Sequence, residues 1–104
     1  MTRSANPLRG ETRIAIAGRE VLLRPSFENL VSAEEELGSL FALVERASGG
    51  ALTLAEITGL LWHCIATEPR PLRAEVGNAV LDLGLVEATR PVRAILAQVL
   101  QGQA

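Results

Sequence analysis

His63 and Cys64 are the single histidine and the single cysteine of the chain, and a thiol beside an imidazole is the makings of a nucleophile with its base. Their adjacency works against that chemistry. Neighbouring residues of a helix point about 100° apart, so the imidazole is poorly placed to take a proton from the next thiol. Cys64 also falls on an apolar stripe, where a free cysteine behaves as a small hydrophobe with a raised pKa. As metal ligands the pair offers two donors where zinc takes three or four, and neither a CxxC nor an HExxH spacing supplies the rest. No metal, no cofactor and no enzymatic step is expected.

Other groups of polar residues read as surface. Glu34, Glu35 and Glu36 diverge around a helix and suit a solvated face better than paired acid–base work. Gly49 and Gly50 precede a helix without GxxxxGK[ST] or GxGxxG, so they read as a hinge and give a phosphate cradle no support. Arg70 and Arg73 with Pro69 and Pro71 make a small basic loop. Phe27, Phe41 and Trp62 sit on apolar stripes, which leaves nothing for bases to stack on.

The elements that carry these residues follow from periodicity. Residues 1–9 are polar and aperiodic and predict a flexible leader, with one domain over 10–101. Thr12, Ile14 and Ile16 alternate with Glu11, Arg13 and Ala15, and after a break at Ala17-Gly18-Arg19 the stretch Glu20 to Arg24 is again rich in apolar residues. A β-hairpin over about 11–24 is expected, stopped by Pro25. Ser26 caps a helix from Phe27 to Leu37 with Phe27, Leu30, Val31 and Leu37 inward, and Gly38 closes it. Ser39 caps a second helix holding Leu40, Phe41, Leu43 and Val44, to Ala47. Thr53-Leu54-Ala55-Glu56 is a capping box that starts a third helix, reaching to about Thr67. Pro71 suits the first turn of a fourth, which ends at Gly84. A fifth stretch follows from Leu85 to Leu100, and within it Pro91 either follows a fresh cap at Thr89 or kinks the helix. The fold class expected is α+β: a hairpin and then about five short helices.

The bulk properties narrow the partners. Ten arginines and no lysine against twelve acids give a net charge of −2 in 104 residues, which draws the chain to neither nucleic acid nor anionic lipid. No apolar run is long enough to span a membrane. The later helices hold more aliphatic residues than a chain of this size readily buries, so either a tight core absorbs them or an apolar face meets another chain or another copy. Leu60, Trp62, Val92 and Leu96 widen their stripes beyond one contact face and are the candidate partner-binding positions.

The segments Asn6-Pro7-Leu8-Arg9-Gly10-Glu11, Ile14 to Arg24, Phe27 to Leu40 and Gly84-Leu85-Val86-Glu87-Ala88 resemble the gene transfer agent family of small phage-tail proteins over roughly residues 6–101. The resemblance implies a non-enzymatic bacterial protein of the cytoplasm, made with phage-like tail genes and expected to become associated with the virion if it stays in the particle. Its implied role is that of a tail assembly chaperone for the tape-measure protein, with the tail tube protein as a further contact. The alternatives are a minor tail component retained in the particle and a generic helical interaction module.

Overall fold

The alternating residues near the N-terminus form two strands, β1 (Thr12–Ile16) and β2 (Arg19–Leu23), in a computed structural model that describes residues 11–102. The leader expected over 1–9 lies outside the described residues. The strands are antiparallel with Ile14 opposite Val21, and Ile14, Ile16, Val21 and Leu23 turn inward. Ala17 and Gly18 make the two-residue turn, both at positive φ (51° and 77°), as a type I′ turn demands. Ala17 is the only non-glycine residue among those described with positive φ, a conformation that costs a β-carbon-bearing residue about 1–2 kcal/mol. Asparagine tolerates it better. Ala17→Asn is therefore expected to raise stability by about 0.5–1 kcal/mol, read as a higher urea midpoint with an unchanged slope.

Five helices follow: α1 (Phe27–Leu37), α2 (Leu40–Ser48), α3 (Leu54–Cys64), α4 (Arg73–Leu83) and α5 (Leu85–Gln101). The class is α+β, as the periodicity indicates. Ser26, Ser39 and Thr53 cap α1, α2 and α3, and the Thr53–Glu56 box is complete, with both bonds at 2.9–3.0 Å. One hydrophobic core gathers the inner face of the hairpin with Ala33 of α1, Ile57, Leu60 and Leu61 of α3, Val76 and Val80 of α4, and Val92 and Ile95 of α5. Helix α3 lies at its centre, packed against α1, α4 and α5. Gly59 lets α1 come close, since a β-carbon there would sit 3.1 Å from a Leu37 methyl.

Four local details differ from the periodicity. Helix α3 stops at Cys64, short of Thr67, because residues 65–67 leave it to run along the outer edge of β2 at Leu22 and Leu23. Ile65 bridges to Leu23, the Ala66 N–H donates to the Leu22 carbonyl (2.8 Å), and the Leu22 N–H donates to Thr67 Oγ1 (2.8 Å). Helix α4 starts at Arg73, leaving Pro71 outside it. The Pro71 carbonyl instead accepts the Trp62 indole N–H at 3.0 Å, which holds that residue against α3. Of the two readings at Pro91 the fresh cap falls away: helix α5 runs without a break through Pro91, and Thr89 is an internal residue whose hydroxyl donates to the Val86 carbonyl. Gly49 and Gly50 close the end of α2, where the Gly50 and Ala51 N–H groups donate to the Ala47 and Arg46 carbonyls. They terminate a helix.

Candidate interaction surface

Three of the four candidate partner-binding residues lie inside the protein. Leu60 (1% exposed), Val92 and Leu96 are buried core residues, and Trp62 is half-buried. Their stripes are wide because α3 is packed on several sides and α5 is packed against α2, α3, α4 and β1. A wide stripe on a central helix means more core.

The aromatics expected inward face out instead. Phe27 is 82% and Phe41 71% exposed. On α1 the residues that reach the core are Leu30, Ala33 and Leu37, a seam at spacings of three and four. Phe27 and Val31, four apart on the same helix, share another face and are exposed. Ala33 carries too little side chain to announce a seam in sequence, yet its small size suits a close helix approach. In α2 the seam is Leu40, Leu43, Val44 and Ala47, and Phe41 falls beside it.

A polar cluster built on Trp62 joins three elements. Arg73 of α4 clasps Glu36 of α1 with two guanidinium N–H donors at 2.5 and 2.9 Å, and His63 Nε2 donates to Glu36 Oε1 at 2.7 Å. The guanidiniums of Arg70 and Arg73 lie 4.7 and 4.4 Å from the Trp62 ring centroid, a cation–π arrangement. The basic loop is thus spent on the indole. Two of the three acids read as a solvated face are likewise engaged: Glu36 here, and Glu34, whose carboxylate accepts the Leu40 N–H at the start of α2 (3.0 Å). The hydrogen bonds from Arg73 and then His63 hold the Glu36 carboxyl down at about 2, against the desolvation that would raise it. A carboxylate whose folded pKa is depressed binds fewer protons than its unfolded form, so its stabilisation is present above about 4.5 and is lost as pH falls through about 2. The stability gap between the native chain and Glu36→Gln is therefore expected to hold level from pH 6 to about pH 5 and then to narrow down to pH 2 in urea titrations. A constant gap would contradict the cluster.

His63 and Cys64 are held apart in role. The imidazole is bound to Glu36, while Cys64 is fully buried in the core and its thiol is pushed up by burial to about 12, so it is protonated at neutral pH. Among the described residues no group of three or more His, Cys, Asp and Glu could hold a metal ion. Nor is any described helix long and apolar enough to cross a membrane.

An apolar groove of about 650 Å3 lies between α3 and α4, with Leu37 of α1 also lining it. Leu54 (42% exposed) and Leu81 (59% exposed) flank it, and Gly77 lies between them. The charges on its rim are neutralised within the fold: Glu36 by Arg73, and Glu56 by Arg46 in an ion pair. Glu56 is lowered from its ordinary value, first by the Thr53 backbone N–H and then by Arg46. Such a groove selects for apolar shape rather than for charge.

A family model described as phage tail tube protein, GTA-gp10, matches residues 9–102. No curated protein and no solved structure matches the chain.

Proposed function

The chain belongs to the GTA-gp10 family of phage tail tube proteins, and from that membership we propose that it serves as a structural part of a tail, retained in the particle by apolar contacts with neighbouring tail proteins. The observation that carries this reading is the extent of the match, which takes in the hairpin and all five helices rather than a single motif. The α3–α4 groove supports it as the seat of an apolar segment from another tail protein, chosen by fit because its rim charges already have partners. No catalytic step belongs to this role: the Cys64 thiol is buried and protonated, and the imidazole is committed to Glu36.

A second reading, a chaperone that shields the tape-measure protein during tail assembly, draws support from how widely apolar residues are exposed. Phe27, Phe41, Leu85 and Val86 lie outside the groove on three other helices. Mass spectrometry of purified particles separates the two. A retained component is expected at a fixed copy number per particle. Its absence from intact particles, with tails lost when the gene is deleted, would overturn the structural reading in favour of the chaperone.

A further inference from the structure

The two outer edges of the hairpin are not alike. Leu22 spends its backbone N–H and C=O on Thr67 and Ala66, so it takes no part in ladder bonds with Arg13, which stands opposite it. In an antiparallel pair the bonded and non-bonded positions alternate, which turns the N–H and C=O of Arg13, and of Ala15 two residues on, away from β2. Among the described residues no other backbone or side chain satisfies these four groups. The edge of β2 is closed at Leu22, whereas that of β1 is open at both Arg13 and Ala15.

A groove follows the open edge. Hollows of about 480 and 320 Å3 share Ala15 and Leu83 and run between β1 and the α4–α5 junction. The hollow nearer the turn is walled by Asp82 and by Glu75, whose carboxylate also accepts the Leu72 N–H (2.9 Å), with no cation among the described residues, whereas in the other Arg90 sits 3.3 Å from Glu87. Unpaired strand groups, an apolar floor at Leu83 and an excess of carboxylate at one end describe a receptor for extended chain.

We propose that the free edge of β1 accepts an extended segment of another protein as an added strand, one that carries a Lys or Arg level with Glu75 and Asp82. Main-chain bonds to Arg13 and Ala15 hold the segment, and its alternate side chains meet Leu83 and the carboxylates. This site lies apart from the α3–α4 groove and does not depend on the tail assignment.

The test uses isotope-labelled protein and the capped hexapeptide Thr-Val-Thr-Val-Lys-Thr. Its companions are the same peptide with Glu for Lys, and two versions of the Lys peptide N-methylated on alternate residues in opposite phase. At saturation, hydrogen exchange of the Arg13 and Ala15 amides is expected to slow at least tenfold. The Glu peptide should bind at least fivefold more weakly, and Asp82→Asn, an exposed change, should shrink that preference. One methylation phase should bind and the other should not, because only one set of peptide amides faces β1. Unchanged exchange at Arg13 and Ala15, equal binding of the Lys and Glu peptides, or loss of binding in neither phase would each overturn the proposal.

Discussion

Leu60→Ala is expected to cost about 2–5 kcal/mol of stability, because a side chain only 1% exposed at the centre of the core leaves a cavity that neighbours on several sides cannot all close. A domain of this length holds about 5–15 kcal/mol in total, so the loss is a large share. It should appear as a fall in melting temperature of roughly 10–30 °C. Leu81→Ala is the companion measurement. At 59% exposed it should change stability by no more than about 0.5 kcal/mol. If Leu60 were instead a surface contact, the two substitutions would behave alike in the isolated protein.

The second large effect concerns the groove. Leu81→Glu combined with Leu54→Glu places two charges on a surface where the described residues offer no free cation to receive them, since Arg73 and Arg46 are already paired there. Both positions are exposed, so the fold is expected to survive with a circular-dichroism spectrum like that of the native chain. Incorporation into particles should fall. A loss of about 2 kcal/mol at a central contact corresponds to about 30-fold in affinity, enough to empty the site at limiting concentration. Particles that take up the folded double variant at the native copy number would rule the groove out as the contact and leave the open strand edge and the exposed Phe27 and Phe41 to be tested.

Much of the architecture was readable because its signals are local. The alternation of Ile14, Ile16, Val21 and Leu23 marks the inner face of the hairpin, and Ser26, Ser39 and Thr53 mark helix starts whose caps form as expected. Gly38 and Gly84, both near φ 90°, mark helix ends. What escaped depends on partners distant in sequence. Nothing near Ile65 says that α3 will surrender its last turn to a strand 40-odd residues earlier; Leu22 and Thr67 are 45 positions apart. The inward reading of Phe27 and Phe41 weighed size above phase, and the small residues Ala33 and Gly59 define the α1–α3 contact instead. Three of the four candidate contact residues, Leu60, Val92 and Leu96, lie in the core for a related reason. A stripe can widen because a helix meets a partner or because it is surrounded, and sequence alone does not distinguish the two.

The closure of β2 by residues 64–67 also sets a timetable. Synthesis proceeds at about 5–20 residues per second, so the chain that bonds Leu22 is made some 2–9 seconds after Leu22 itself. Throughout that interval the nascent hairpin has both flanks bare, and a freshly made strand with an unmet edge readily pairs with whatever strand is nearest. On a crowded polysome that strand can belong to the copy on the next ribosome, so slower elongation after the hairpin has emerged should raise the insoluble fraction of the product.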